Sequence, residues 1–418
     1  MVHSPDASLA ARLTARIARE GPIPFCDFME AALYDPEDGY YSRRAAIGEG
    51  GDFVTSPSIS PLFARAVARV FAADAESFAG EVVFCEAAAG EGRFLRDFRE
   101  ALSEIAPVLA RRTRLRAIER SAAGRAAIER GAVAELIAAD AAEWEGERFE
   151  GWVFSNELYD ALPVHRVEMR KGKLLELGVT VGPPLPAGEG RGEGDPSPPR
   201  ALSPAASPRP LPPAWPKPLR RGEGPRGEAV REPPTRAQFA WTSWPAPPAL
   251  AAYLARFGVE LAEGQVAEID LAAAPLHRAL ARFLSRGRLA AFDYGHRAPI
   301  LYHSSARPRG TLAVHARGRR GGDPLERPGE VDLTAHVNWD DIAAAGEAEG
   351  LSTDARMRQS EFLIRAGLFE DAGDSRVAET RDSRLEAMRL FDPEGIGDAL
   401  SVLLQSKGIG PPKFRFRA

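Results

Sequence analysis

The chain has 418 residues, a formal net charge of -5 and 44% hydrophobic content, enough for one large packed domain or two. Its two cysteines cannot build a disulfide framework or a four-cysteine zinc site, and no apolar run reaches the roughly 18 to 20 residues that span a bilayer. A disulfide-stapled secreted protein, a helical membrane protein and a strongly basic nucleic-acid binder are disfavoured, so neither nucleic acid nor membrane is expected as a partner.

The opening stretch "MVHSPDASLAARLTARIARE" has no signal-peptide core and reads as a short amphipathic helix rather than the transit peptide its arginines faintly suggest, so a reducing cytoplasm is the expected location, or the mitochondrial matrix if the chain is eukaryotic. Residues 1–75 are expected to form a helical extension ending in a loop. "EVVFCEA" at 81–87 is a short apolar run that stops at an acid, breaks into a two-glycine loop and continues in "LRDFREALSEI", whose apolar residues recur at helical spacing. Strand, tight loop and helix is the reading. "TRLRAIERS" and "AGRAAIERG" repeat the alternation, "AELIAAD" adds a third strand and "GWVFSNELYDALP" a fourth. From Pro183 to Pro234 the character changes: this stretch holds nearly half of the chain's 35 prolines, echoes itself in "GEGRGEG" and "RRGEGPRGE", and has nothing with which to build a core. It is expected to be a disordered insertion between two pieces of one domain, 76–182 and 235–418. After it, "LHRALARFLS" predicts a helix, "GRLAAFDYG" a buried strand, and "GTLAVHARG" and "DALSVLLQSKG" the last strands. Strands separated by helices predict an α/β fold with a doubly wound, mostly parallel, Rossmann-like sheet covered on both faces.

The loop after the first strand lies where such sheets bind ligands. A Walker-type phosphate loop needs Lys-Ser/Thr after its second glycine, and "AAAGEGRFL" lacks both. A dinucleotide fingerprint needs a small third residue, and counting from Gly92 that place holds Leu95. Instead, Glu86 closes the first strand, Glu119 the second and Asp140 the third. A carboxylate repels a pyrophosphate but attracts a cationic amino acid, so the pattern suits S-adenosyl-L-methionine, which carries an α-ammonium and a sulfonium. Glu86 with Gly90 and Gly92 would meet its methionine end, Glu119 its ribose hydroxyls and Asp140 its adenine. For each acid taken singly, the alternative is a solvated loop residue.

The fourth strand ends in "FSNELYDALPVH", where Asn156, Glu157 and Asp160 crowd the mouth of the same cleft. Capping of the next helix is one role open to them. Facing a methyl donor, they also suit a cationic nucleophile: a guanidinium stays protonated and binds carboxylates in a planar fork, and one carboxylate could take the proton that methylation releases.

Read in order, "GPIPFCDFMEAALYDPEDGYYS", "GDFVTSPSISPLFARAVA", the Glu86–Gly92 loop, "NELYDALPVHR", "AAFDYG", "GTLAVH", "GEVDLTAHVNW" and "RQSEFLIRAGL" resemble the MidA-like family of S-adenosyl-L-methionine-dependent methyltransferases, over nearly all of the chain except the insertion. The resemblance implies a class I methyltransferase fold, S-adenosyl-L-methionine as cofactor and a protein arginine as substrate. The family's mitochondrial members are assembly factors for respiratory complex I that dimethylate a core subunit, so a core subunit of NADH dehydrogenase is the implied partner. It further implies that Gly51, Asp52, Phe53 and Thr55 close over the cofactor, that Asn156, Glu157 and Asp160 form its Asn-Glu-x-x-Asp signature, and that Asp293 to Gly295 form its Asp-Tyr-Gly. Two positions depart from the family pattern: Ala88 replaces the first glycine of the loop, and Ser58 replaces a glutamate in "PSIS".

The histidines His165, His296, His303, His315 and His336 have no metal-ligand spacing, so no metal is expected. His336, with Asp332, matches a family motif and is expected either to line the substrate cleft or to hold structure. Two other classes remain open: an assembly chaperone that keeps the cleft without turnover, motivated by Ala88 and Ser58, and a nicotinamide-dependent oxidoreductase on a similar sheet, which Leu95 opposes.

Overall fold

The computed structural model of the chain describes residues 8–43, 55–182, 239–316, 319–369, 381–392 and 396–416. The proline-rich insertion and the expected cofactor-loop residues Gly51, Asp52 and Phe53 lie outside the described residues.

The main sheet is built from β1 (Val82–Ala87), β2 (Thr113–Ile118), β3 (Glu135–Ala138), β4 (Phe149–Asn156), β5 (Leu284–His296), β6 (Ser352–Arg358) and β7 (Leu400–Lys407). Its order is β6-β7-β5-β4-β1-β2-β3. The five strands from β5 to β3 are parallel, and β7 runs antiparallel to both β5 and β6. Parallel strands need both faces covered, and alternate side chains of each strand enter two different cores. Phe84, Trp152, Phe154 and Phe292 pack with Phe63, Phe71, Phe94 and Phe98 of the helices Pro61–Ala75 and Arg93–Ile105. Val83, Cys85, Val153 and Ala291 face the helices Ala273–Arg282 and Trp339–Ala348. The sheet is therefore Rossmann-like, mixed but mostly parallel.

Two smaller sheets flank it. One joins Ile23–Pro24, His165–Arg170, Lys173–Val181, Phe239–Pro245 and Val266–Ile269, and its register sets Val181 opposite Phe239, so the strands on either side of the proline-rich stretch are antiparallel neighbours. The other holds Ala313–Ala316 between Arg319–Arg320 and Asp332–Thr334. Here the structure corrects the sequence: "DALSVLLQSKG" does supply a main-sheet strand, but "GTLAVHARG" does not. The main-sheet edge is taken by Ser352–Arg358 instead, and Ala313–Ala316 pairs only within its own three-stranded sheet. The fourth strand is also shorter than "GWVFSNELYDALP" suggested. It stops at Asn156 because Glu157 takes φ 52°, a left-handed conformation that ends extended pairing.

Strand order reverses between β1 and β4: β2 and β3 extend the sheet from one side of β1, while β4 and β5 extend it from the other. A crevice opens outside the carboxyl ends of the strands at such a point. The loop after β1 and the turn after β4 both lie there.

Candidate functional site

A cavity of about 820 Å³ occupies this crevice and is continuous from the loop after β1 to the small three-stranded sheet. Glu86, Gly90, Glu119 and Asp140 line it toward β1–β3, and Asn156, Glu157, Asp160, Tyr294 and Asp332 toward β4, β5 and the small sheet. Thr55 and Ser58 also border it.

Toward β1–β3, the loop turns sharply: Ala88, Gly90 and Gly92 all have positive φ, of 59°, 53° and 73°. Gly90 has open space where a Cβ would stand, and its N–H donates to Glu119 Oε2 at 2.7 Å. Glu119 Oε1 accepts the Ser121 N–H at 2.7 Å, so one carboxylate ties the end of β2 to two backbones. Gly124 completes the cradle, because a Cβ there would sit 2.7 Å from the Gly90 carbonyl oxygen and 2.8 Å from Glu119 Cγ. Glu86 is buried, with Oε2 enclosed and unpartnered, and burial, reinforced by the charge of Glu119, pushes its carboxyl well above the ordinary range. Burial also raises Glu119, against the two N–H bonds it accepts. Asp140 is exposed and caps the turn at Ala141–Glu143 by accepting the Ala142 N–H at 2.9 Å, while still bordering the cavity.

The other end is a nest of carboxyls. Glu157 is pushed up to about 8, first by burial and then by Asp293. Asn156 Nδ2 donates to Glu157 Oε1 at 3.0 Å, and Asn156 Oδ1 is enclosed without a partner. Asp160 lies well above the ordinary range through burial and the charges of Asp293, Glu157 and Asp332. Asp332, raised by burial to about 7, accepts the Tyr41 hydroxyl at 2.9 Å. Tyr34, stacked on Tyr41 with ring centroids 5.5 Å apart, donates to the Ala161 carbonyl and carries the Arg120 guanidinium 4.3 Å over its ring. Uncompensated buried acids repel one another and hold protons, so the nest is primed to take up a cation.

Asp293 explains why these groups stay in place. Its Oδ2 accepts N–H bonds from Leu158 at 3.0 Å and Tyr159 at 2.7 Å, and its Oδ1 accepts that of Tyr294 at 2.8 Å, so β5 fixes the turn that carries Glu157 and Asp160. The sequence marked Asp293 only through the Asp-Tyr-Gly match. It assigned no role to Tyr34 and Tyr41, which lie in one of the stretches that carry the resemblance, and gave no sign of Arg320; all three reach the cavity from distant parts of the chain. Ser58 stands where the resemblance expected glutamate, yet its hydroxyl accepts the Thr55 N–H at 2.8 Å, the same reach back to the helix start that an acid makes in a capping box.

The orphaned Glu86 carboxyl, the open approach at Gly90 and the carboxylate of Glu119 form a set of acceptors for a ligand with an ammonium at one end and vicinal hydroxyls at the other. S-adenosyl-L-methionine fits that set. Residues 62–356 match the model of a family described as S-adenosyl-L-methionine-dependent methyltransferase. A curated relative, the Drosophila melanogaster "Protein arginine methyltransferase NDUFAF7 homolog, mitochondrial", is 29% identical over 201 residues, 43% of this chain and 46% of that protein. The human protein arginine methyltransferase NDUFAF7 is 30% identical over 108 residues, 25% of this chain and 24% of its own length. The chain thus spans less than half the length of these curated relatives. Among solved structures, a COG1565 superfamily member from Burkholderia thailandensis bound to S-adenosyl-homocysteine is 29% identical with a TM-score of 0.75, over 99% of this chain and 96% of that one. A native crystal structure of a protein of that superfamily from the same organism is 27% identical with a TM-score of 0.72, covering 99% and 96%.

Proposed function

The chain belongs to this family of S-adenosyl-L-methionine-dependent methyltransferases, and from that premise we propose that it is a protein arginine N-methyltransferase. The observation that carries the proposal is the cavity running without a break from Glu86 and Glu119 to a nest of raised carboxyls at Glu157, Asp160 and Asp332. The cofactor, when bound, supplies an electrophilic methyl group on a sulfonium. In this reading Glu86, Gly90, Glu119 and Asp140 hold it, Gly92 shapes the loop from behind, packed toward Ile128 and Val133 rather than lining the cavity, Thr55 lies beside them, and Gly51, Asp52 and Phe53 are contributed by the chain before Thr55.

Glu157 and Asp160 receive the guanidinium. The incoming cation draws off their protons, and two ionised carboxylates then orient a planar fork. Asn156 positions Glu157 through its 3.0 Å bond, and Asp293 positions both acids through the backbone. One ionised carboxylate accepts the proton that leaves the guanidinium nitrogen on methylation. The names of the curated relatives support arginine as the acceptor. The family resemblance in the sequence supports a core subunit of NADH dehydrogenase as the protein that carries it, and assembly of that complex as the role.

A second reading, an assembly chaperone that binds cofactor without turnover, is favoured by Ala88, whose Cβ stands in a left-handed turn of the cofactor loop. Calorimetric titration with S-adenosyl-L-methionine, S-adenosyl-homocysteine and NAD, followed by mass spectrometry of arginine peptides incubated with protein and cofactor, separates these readings. Saturable S-adenosyl-L-methionine binding and a methyl mass gain on arginine that Glu157→Gln abolishes is the expected result. Binding without any mass gain on arginine would favour the chaperone.

A further inference from the structure

We propose that Arg320, on the small three-stranded sheet, recognises an acidic residue of the substrate two or four positions from the methylated side chain, so that the enzyme selects a cation-plus-anion motif rather than arginine alone. The inference rests on the preceding reading of the carboxyl nest as the seat of a substrate cation.

The sheet register carries it. His315 pairs with Arg320 on one side and with Asp332 on the other. These three residues therefore form one row across the sheet, and all three line the cavity. Ala313 and Thr334, two residues along their strands, line it as well, as the alternation of a strand requires for a single inward face. Asp332 stands beside the acids that take the cation, since its charge acts on both Glu157 and Asp160. At the other end of the row Arg320 is exposed and has no acidic partner among the described residues.

Charge on this wall is therefore separated: acid at one end, guanidinium at the other, and between them the imidazole of His315, held neutral as is that of His336, which also lines the cavity. Burial lowers His336 to about 4 and lowers His315 as well, and the charge of Arg320 adds to both. Two strand spacings of about 4.8 Å put the ends of the row about 10 Å apart, and an extended peptide rises about 3.3 Å per residue, so the spacing corresponds to about three residues. Side chains two and four positions from the arginine share its face of an extended peptide and bracket that spacing, so a peptide lying along the row with its arginine in the nest would leave Arg320 facing one of these two. An acid there gains an ion pair; a lysine there meets like charge.

The test uses the full chain, immobilised and loaded with S-adenosyl-homocysteine, to capture peptides from a capped library with a fixed central arginine and randomised neighbours. A second library carries citrulline in place of the arginine. Wild type is expected to enrich acids two or four positions from the arginine by about fivefold, the size of one partly screened ion pair. Arg320→Ala should lose that enrichment, and Arg320→Glu should replace it with enrichment of lysine at the same position, while both variants bind S-adenosyl-homocysteine as wild type does. Acid enrichment that persists in Arg320→Glu, or its absence from the wild-type arginine pool, overturns the assignment of Arg320. Equal capture of the arginine and citrulline libraries overturns instead the reading of the nest as a cation seat.

Discussion

The carboxylate of Glu119 accepts the Gly90 N–H at 2.7 Å and the Ser121 N–H at 2.7 Å, so the end of β2 holds the loop after β1 in its turned shape. A hydrogen bond to a charged acceptor contributes about 1.5 to 3 kcal/mol, and these two are half-buried. Glu119→Ala is expected to weaken S-adenosyl-homocysteine binding by more than tenfold and to lower the melting temperature. Glu119→Gln, which accepts one N–H but turns an amide NH2 toward the other, should fall between. Calorimetry alongside thermal unfolding checks this, and wild-type affinity in Glu119→Ala would remove Glu119 from the cofactor site.

Ala88 has φ 59° in the same loop, a conformation that costs a residue with a Cβ roughly 1 to 2 kcal/mol. Ala88→Gly is therefore expected to raise stability by about 1 kcal/mol, although most glycine substitutions lower it. The same change opens the loop beside the cofactor's methionine end and is expected to tighten cofactor binding. Urea unfolding measures the first effect. A loss of stability in Ala88→Gly would mean that the methyl group makes packing contacts worth more than the backbone strain.

Much of this site was legible in the sequence, because strand ends in a parallel sheet converge on one edge and their acids converge with them. Glu86 and Glu119 could be placed by that rule alone. Asp140 also reaches the cavity, but it is an exposed loop acid, the alternative that the sequence left open for it, and it caps a turn besides. The partners brought in by tertiary packing were not legible: Tyr41 meets Asp332 from 291 positions away, and nothing local to either residue announces the pair. The error over "GTLAVHARG" has a related cause. Short apolar runs specify a strand but not its sheet, and this one is paired by two antiparallel neighbours close in sequence.

Glu157, with its folded value raised to about 8 and an unfolded value of about 4.3, makes stability depend on pH. Between those values the folded state keeps a proton that the unfolded state has lost. Its contribution is fully present below about pH 4, declines as pH rises and is exhausted above about pH 8. Glu157→Gln should flatten the loss of stability between about pH 5 and 8, as seen in denaturation midpoints across that range. The linked expectation concerns substrate: an arginine peptide must displace the proton below pH 8, so its affinity for wild type should rise with pH up to about 8 and level there. A peptide affinity independent of pH in that window would show that Glu157 does not face the cation.

Arg288 tests whether stability can be separated from chemistry. It is fully buried near the start of β5, away from the cavity, where its Nε meets Asp74 Oδ2 at 2.7 Å, its Nη2 donates to the Gly410 carbonyl at 3.0 Å and its Nη1 meets Asp354. Trp152 Nε1 donates to the same Asp74 oxygen at 3.1 Å, which ties β4 into the cluster. Removing one member strands a buried charge, at a cost of about 3 to 5 kcal/mol. Arg288→Met should therefore shift the urea midpoint strongly downward while leaving S-adenosyl-homocysteine affinity of the folded fraction unchanged. The exposed Lys413–Glu76 pair is the control, since Glu76→Ala should cost less than about 1 kcal/mol. Because β5 also carries Asp293 at its far end, a drop in cofactor affinity in folded Arg288→Met would show that displacement of this strand reaches the site, and the two ends of β5 would then have to be treated as one mechanical unit.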